Sequence, residues 1–180
     1  MKIVKFDTLN DSQRTQAAQM LTDEIPEGWA NLCDAEKEIE ECEKNPEYIL
    51  FAAVQDDEIV GWAGLEEPRY GGRVFELHPL VVRGDMQGKG IGTKLLEKIE
   101  KTAKEKGGTV LILGAGDEND GGETSFANVD LYENLHEKLA NFTPGTHQTA
   151  FYLKCGYTVT GVIPDAYGTG KPDIHMAKRL

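Results

Sequence analysis

Two ionisable side chains and a group of glycines stand close together in the middle of the chain. Glu76 and His78 belong to the apolar segment E-L-H-P-L-V-V (76–82), and three glycines follow it in Q-G-K-G-I-G (87–92). Side chains alternate along a strand, so Glu76 and His78 share a face, where they could accept a proton from a substrate. Glycines ahead of a helix can bring backbone N–H groups close to an anion. The pattern predicts an anion site and allows acid–base chemistry beside it, although the residues by themselves also fit an exposed Glu76 and a hydrogen-bonded, half-buried His78.

The spacing of the glycines distinguishes three phosphate motifs. A P-loop needs G-x-x-x-x-G-K-[ST], but Gly84 and Gly88 are one residue too close, and Gly90 stands where Ser or Thr should hold magnesium. A Rossmann fingerprint needs G-x-G-x-x-G, which the glycines do not match. The pattern Q-x-x-G-x-G, with Gln87, Gly90 and Gly92, predicts unpaired amides at a helix start. A merely flexible connection would leave the glycines weakening the helix without compensation.

Hydrophobic periodicity predicts a strand before this loop and a helix after it. The pattern predicts helices over 12–25 (capped by Asn10 or Asp11), 34–44 (capped by Asp34), 91–106, 129–142 and 147–155, and strands over 3–7, 48–54, 58–66, 74–82, 109–114, 157–163 and 173–180. The third helix connects the fourth and fifth strands. This order predicts one mixed α/β domain over residues 1–180.

Pro79 interrupts the predicted fourth strand. Proline has no backbone N–H to give to a sheet ladder, so it is confined to bulges and unpaired edges. The strand that carries Glu76 and His78 is therefore expected to be irregular at this point.

Composition limits the function classes. The net charge of −12 over 180 residues argues against nucleic acid and is compatible with a cationic small molecule, although acidity can also serve solubility alone. Cys33, Cys42 and Cys155 show no C-x-x-C pairing, and the histidines show no metal spacing, so we expect neither disulfides nor a metal. No apolar run could span a membrane and no secretory signal is visible, which predicts a cytoplasmic protein without a membrane partner.

The segment L-V-V-R-G-D-M-Q-G-K-G-I-G-T-K-L-L-E-K-I-E (80–100) resembles the acyl-CoA-binding segment of the Gcn5-related N-acetyltransferases, the GNAT superfamily. E-L-H-P-L-V-V, D-L-Y-E-N-L and the C-terminal G-K-P-D-I-H-M-A-K are similar to aminoglycoside 6′-N-acetyltransferases of the Gram-positive chromosomal type. The first 47 residues are the least diagnostic part. The resemblance implies a GNAT-type domain whose mostly antiparallel central sheet is flanked by helices and splays between strands 4 and 5.

The same resemblance implies acetyl-CoA as the co-substrate. Its pantetheine arm would lie in the splayed gap, with the Leu80 N–H nearest the thioester carbonyl, and its pyrophosphate in the glycine loop. The implied cofactor-binding residues are Leu80, Val81, Val82, Gln87, Gly88, Lys89, Gly90, Ile91, Gly92 and Thr93. The resemblance also implies a homodimer.

Catalysis would need a base, a place for the cationic acceptor and a hydrogen bond for the departing sulfur. The resemblance favours Glu76 as the base or as the carboxylate that orients the ammonium, with His78 as the alternative base, and implies that Tyr152 assists the thiolate. A phenol of pKa about 10 is a weak acid, but a thiolate of pKa about 8.5 needs little help. The candidate substrate-binding carboxylates are Glu76, Asp117, Glu118 and Asp165.

The expected reaction is acetyl transfer from acetyl-CoA to a primary amine in a ternary complex, with the 6′-amine of an aminoglycoside as the favoured acceptor. A polyamine, an amino-sugar metabolite or a protein amine is the alternative acceptor, and a non-catalytic acyl-CoA sensor is the alternative class. The segment P-G-T-H-Q-T-A-F-Y (144–152) and the residues Tyr167 and His175 depart from the resembling enzymes. These departures concern the acceptor more than the coenzyme.

Overall fold

The structure is a computed structural model, and it describes residues 1–66 and 70–180. The chain divides into two compact units, Met1–Leu111 with Leu180, and Ile112–Arg179. The predicted single domain over residues 1–180 is not tested by this division and stays a prediction.

The first unit contains an antiparallel meander with helices before and after it. Its elements are β1 (Lys2–Lys5), a 3₁₀ turn (Phe6–Thr8), α1 (Asp11–Glu24), α2 (Leu32–Lys44), β2 (Tyr48–Gln55), β3 (Glu58–Arg69), β4 (Val74–Val82), a second 3₁₀ turn (Gly84–Met86), α3 (Ile91–Glu105) and the start of β5 (Val110–Gly116). The strand order is β1-β2-β3-β4-β5, and each of the first four strands is antiparallel to its neighbour. β5 follows β4 through α3 and is parallel to it.

The second unit contains the rest of β5 and the elements α4 (Leu135–Ala140), α5 (Thr149–Lys154), β6 (Thr158–Ile163) and β7 (Asp173–Arg179). The strand order is β5-β7-β6, with β6 and β7 antiparallel. The predicted mixed α/β fold class is confirmed, whereas the splaying of β4 and β5 stays a prediction. No helix among the described residues is long and apolar enough to cross a membrane.

A bulge in β4 confirms the irregularity predicted at Pro79. Leu80 pairs with Ala63 and Leu77 pairs with Leu65, so β4 advances three residues where β3 advances two. The extra residue kinks β4 beside His78. Gly64 faces this kink, because a Cβ at that position would lie 2.1 Å from the His78 carbonyl oxygen.

The starts of the first two helices show how local hydrogen bonds choose a cap. Asn10 caps α1, and its side chain accepts from the Gln13 N–H in a reciprocal capping box. The prediction that Asp34 caps the second helix is wrong. Asn31 caps α2 because its side-chain oxygen accepts from the Asp34 N–H at 3.1 Å, which places Asp34 inside the first turn.

Buried apolar side chains pack between the helices and the sheet of the first unit. Trp62 of β3 is fully buried, and its indole N–H donates to the Ala17 carbonyl of α1 at 3.1 Å. The predicted inner face of α3 is buried as expected, with Ile91, Leu95, Leu96, Ile99 and Ala103. These contacts hold the start of α3 and the end of β4 in place.

One helix of the second unit is shorter than the sequence predicts. The pattern predicts a helix over 129–142, but α4 covers only Leu135–Ala140. Asp130 accepts from the Tyr132 N–H, and Asn134 adopts a left-handed conformation with φ of 50°. Short polar side chains compete with helical backbone bonds in this way, so the preceding residues form turns.

Candidate active site

The start of α3 exposes backbone N–H groups. Gly90 precedes the helix in the left-handed conformation (φ 76°, ψ 11°), and its carbonyl accepts the first helical bond, from Lys94 N at 3.2 Å. The N–H groups of Ile91, Gly92 and Thr93 lie ahead of that bond, where a helix offers them no internal acceptor. The positive end of the helix dipole coincides with these donors, so the turn attracts an anion.

The glycine loop leaves space in front of these donors. A Cβ built on Gly88 or on Gly90 would meet no atom within 4 Å, and both residues are exposed. Both also have positive φ, which a side chain would strain. The loop therefore combines an open approach with a backbone shape that glycine alone adopts easily, as a pyrophosphate site requires.

Glu24 at the end of α1 holds this loop in place. Its carboxylate accepts from the Gly84 N–H at 2.7 Å and from Gln87 Nε2 at 3.0 Å, and Gln87 Nε2 also donates to the Val82 carbonyl at 3.0 Å. The Gln87 amide, expected at the cofactor, is thus engaged within the loop. Sequence analysis missed Glu24. The available signal was its position at a helix C-terminus, where the dipole disfavours a carboxylate.

We expect Glu24→Ala to raise the KM for acetyl-CoA about tenfold while kcat stays within about twofold, because two charge-assisted hydrogen bonds that shape the loop are lost. Steady-state kinetics with varied acetyl-CoA measure this. Glu27→Ala, which removes an exposed carboxylate three residues away, is the matched control. An unchanged KM in Glu24→Ala would show that the loop keeps its shape without this anchor.

Lys89 lies on the exposed side of the loop. Its Nζ donates to the Asp85 carbonyl at 2.9 Å and approaches Met86 Sδ at 3.4 Å. The ammonium therefore stays at the loop, where it adds a positive charge to the field of the helix start.

A row of polar side chains crosses three strands on the face that α2 covers. Tyr48 of β2 is opposite Glu66 of β3, and Glu66 is opposite Glu76 of β4. Opposite residues in antiparallel strands point to the same side of the sheet. Burial and the nearby Glu66 carboxylate raise the pKa of Tyr48, so the phenol remains protonated and hydrogen-bonds Glu66. The predicted Glu76 thus has a second carboxylate and a phenol beside it.

His78 lies on the same face and meets a carboxylate from α2. His78 Nε2 is 3.7 Å from Glu38 Oε1, and the Trp29 and His78 ring centroids are 6.1 Å apart. The interaction with His78 lowers the pKa of Glu38 against the opposing effect of burial. Cys42 Sγ donates to Glu38 Oε1 at 3.4 Å. We name Trp29, Glu38, Cys42, Tyr48, Glu66, Glu76 and His78 the acidic face; sequence analysis predicted only Glu76 and His78 of it.

The predicted backbone ligands continue along β4. Leu80, Val81 and Val82 pair in register with Ala63, Trp62 and Gly61 of β3. Val81 is buried while Leu80 and Val82 are partly exposed. The first unit therefore contains Glu76, His78, the backbone of residues 80–82 and the glycine loop, all ordered along one strand–loop–helix segment.

In the second unit, the predicted acidic ligands differ in accessibility. Asp117 is only 1% exposed, and its carboxylate accepts from the N–H groups of Glu123 (3.0 Å) and Thr124 (2.8 Å), while its predicted contact with the substrate stays a prediction. It organises the loop after β5. Glu118 is partly exposed, and Asp165 is exposed with Oδ1 accepting from the Gly170 N–H at 2.7 Å.

Tyr152 lies on α5 and is 5% exposed. Its ring meets Phe151 and Tyr157 edge-on, with centroids 5.1 Å and 5.7 Å away. Burial, with a smaller contribution from Cys155, raises the pKa of the phenol. The hydroxyl therefore keeps its proton near neutral pH and can donate a hydrogen bond. Its predicted role at the leaving sulfur stays a prediction.

Two other histidines form local contacts in the second unit. His147 is buried, with Nε2 2.9 Å from the Gly116 carbonyl and Nδ1 3.2 Å from Thr149 Oγ1. His175 Nε2 lies 3.0 Å from Asp173 Oδ2. Both histidines therefore contribute hydrogen bonds to the local structure of the second unit.

The strand, glycine loop and helix suit an enzyme that binds acyl-CoA, and the similarity to known proteins shows its family. The model of the acetyltransferase (GNAT) family matches residues 14–133, and the chain belongs to this family. The resemblance noted in the sequence is confirmed, and the protein is an acetyl-CoA-dependent N-acetyltransferase.

Several solved structures are similar over nearly the whole chain. An aminoglycoside 6′-N-acetyltransferase complexed with coenzyme A is 39% identical with a TM-score of 0.90, covering 99% of this chain and 97% of that one. The aminoglycoside 6′-N-acetyltransferase from Enterococcus faecium gives the same identity and coverages with a TM-score of 0.87. An aminoglycoside 6′-acetyltransferase type Ii is 37% identical with a TM-score of 0.75, also covering 99% and 97%. None of the curated proteins compared with the chain matches it.

Proposed function

We propose that this acetyltransferase acetylates the 6′-amine of an aminoglycoside by direct attack on acetyl-CoA in a ternary complex. The observation that carries the proposal is the acidic face, which gathers the carboxylates of Glu38, Glu66 and Glu76 on one side of the sheet. Carboxylates hold the ammonium groups of a polycation through charge-assisted hydrogen bonds. The named activity of the similar solved structures supports the same acceptor.

The donor side rests on the backbone of the strand–loop–helix segment. The N–H groups at the start of α3 and the open glycine loop fit the pyrophosphate of coenzyme A. We assign the Leu80 N–H to the thioester carbonyl, where a hydrogen bond strengthens as the oxygen becomes an oxyanion. Binding both substrates in one complex supplies alignment that solution lacks.

The reaction then removes two protons from the acceptor ammonium, the first before attack and the second from the nitrogen of the tetrahedral intermediate to solvent, and releases one thiolate. Glu76, or His78 in its place, takes a proton from the acceptor ammonium, and the neutral nitrogen attacks the thioester carbonyl carbon. A C–N bond forms and the C–S bond breaks. The sulfur leaves as coenzyme A thiolate, to which Tyr152 donates a hydrogen bond. Among the other predicted ligands, Glu118 and Asp165 have exposed surface and remain candidates for the distal amines.

Other acceptors and a non-catalytic role would give different products from acetyl-CoA. A polyamine, an amino-sugar metabolite or a protein amine would use the same donor site with a different acceptor. A sensor module would bind acetyl-CoA without transfer. The departures at Tyr167, His175 and residues 144–152 concern the acceptor side, so the choice of acceptor distinguishes these functions.

The test is release of free thiol from acetyl-CoA, with products identified by mass spectrometry. We expect kanamycin and tobramycin to be acetylated once, and an aminoglycoside with a hydroxyl at the 6′ position to be inert. Spermidine and a lysine peptide represent the alternative acceptors. Faster turnover with either would move the assignment to that acceptor, and tight coenzyme A binding without thiol release from any amine would favour the sensor.

We further propose that the enzyme works as a homodimer in the cytoplasm. The family resemblance supports the dimer, and the three cysteines, all free, are compatible with a reducing compartment. Light scattering coupled to size-exclusion chromatography distinguishes a 19.9 kDa monomer from a dimer of twice that mass.

A further inference from the structure

We propose that Glu38 is a positioning residue for the reaction, which holds the His78 imidazole in the tautomer with hydrogen on Nε2 and thereby presents the Nδ1 lone pair as a proton acceptor. This proposal rests on the proposed function, and it gives a separate role to each of the two candidate proton acceptors, Glu76 and His78. Glu38 lies on α2, outside the strand–loop–helix segment that carries the sequence motifs.

The geometry that carries this inference is the approach of two side chains from different elements. His78 Nε2 lies 3.7 Å from Glu38 Oε1, with the two side chains 42% and 27% exposed. This separation is an ion-pair distance, and catalytic hydrogen bonds are often long before the substrate closes the site. A carboxylate facing one ring nitrogen selects the tautomer that donates to it, so the other nitrogen becomes the acceptor.

The Glu38 carboxylate is itself held in place by its neighbours on the acidic face. Cys42, one turn further along α2, donates from Sγ to Glu38 Oε1 at 3.4 Å, and the Trp29 side chain adds a second hydrogen bond. Burial raises the pKa of Cys42 to about 12, so the thiol keeps the hydrogen that it donates. A carboxylate fixed by two donors can impose an orientation on the imidazole.

The arrangement separates binding from proton transfer. Glu76 precedes His78 by two residues on the same strand face and can hold the acceptor ammonium. The proton passes from that nitrogen to His78 Nδ1, directly or through one water, and the Glu38 carboxylate stabilises the imidazolium that forms. The partly exposed ring then returns the proton to solvent.

Kinetics test whether Glu38 acts through His78. We expect Glu38→Gln to lower kcat about tenfold, a part of what a general base contributes, with the KM for acetyl-CoA within about twofold. In a His78→Gln background the same change should have less than about a twofold effect, because coupled residues are not additive. Glu36→Gln, at an exposed position of the same helix, is the matched control and should keep the activity of the unaltered enzyme.

Nuclear magnetic resonance tests the tautomer without any turnover. Long-range ¹H–¹⁵N spectra at pH 8, with His78 assigned through the His78→Gln variant, should show hydrogen on Nε2 in the unaltered protein and a mixture of tautomers in Glu38→Gln. If no amine is acetylated, the proposed function fails while this spectrum still decides the positioning of His78.

Three results would overturn the proposal. They are an unchanged kcat in Glu38→Gln, an equal loss in the presence and absence of His78, and hydrogen on Nδ1 in the unaltered protein. Should Glu38→Gln fold poorly by circular dichroism, Glu38→Asp retracts the carboxylate by one methylene and replaces it in both experiments.

Discussion

Substituting Gly90 by valine should weaken coenzyme A binding by on the order of tenfold or more. Gly90 adopts φ of 76° at the start of α3, a conformation that costs a β-branched residue roughly 1–3 kcal/mol. Relief of that strain would turn the N–H groups of the first helical turn away from the pyrophosphate, and the new side chain would occupy its approach. Isothermal titration calorimetry with coenzyme A measures the loss.

The control for Gly90→Val is Gly107→Val, just beyond the other end of α3. Gly107 also has positive φ, 92°, and a Cβ there also meets no atom within 4 Å. Both substitutions therefore carry a comparable backbone cost, but only one lies at the proposed anion site. Equal loss of coenzyme A affinity in the two variants would mean that strain in α3, and not the shape of the glycine loop, determines coenzyme A binding.

Replacing Glu76 by glutamine should lower kcat by on the order of a hundredfold, because the acceptor ammonium is then no longer aligned for loss of its proton, and leave coenzyme A affinity nearly unchanged. The side chain is half-buried on the acidic face, and glutamine keeps its size while removing the charge that would hold or deprotonate the ammonium. Thiol-release kinetics and calorimetry with coenzyme A give the two readouts.

Glu97→Gln serves as the control for Glu76→Gln, because Glu97 is an exposed carboxylate on α3. Unchanged kcat in Glu76→Gln would show that Glu76 neither takes the proton nor aligns the ammonium for its transfer to His78. A large rise of KM for the acceptor with unchanged kcat would instead show that Glu76 binds the ammonium equally well in the ground state and in the transition state.

The strand, loop and helix of the proposed coenzyme site were predictable because each depends on neighbouring residues. The bounds Val74–Val82 and Ile91–Glu105 follow from periodicity, and the bulge follows from the missing N–H of Pro79. Two glycines before a helix already indicate exposed amides. The less accurate predictions, the cap of α2 and the length of α4, concern positions where short polar side chains compete locally for backbone bonds.

Long-range contacts could not be predicted in this way. Glu24 hydrogen-bonds Gly84 and Gln87, which lie 60 and 63 residues further along the chain. Glu38 of α2 contacts His78 of β4, and the strands β2 and β3 separate the two in sequence. Asp117 appears in a polar, acidic stretch, yet its carboxylate is buried because the loop folds two N–H groups onto it. No local pattern distinguishes these carboxylates from the solvated ones of a chain with 31 acidic residues.

The sequence by itself therefore determined the family, the donor and the exposed glycine loop ahead of α3, since all three reside in contiguous residues with characteristic spacing. Only the tertiary structure decided which carboxylates shape the loop and the acidic face. The physical reason is that a carboxylate's role depends on burial and on the donors it meets, and both arise when α1 and α2 pack against the sheet.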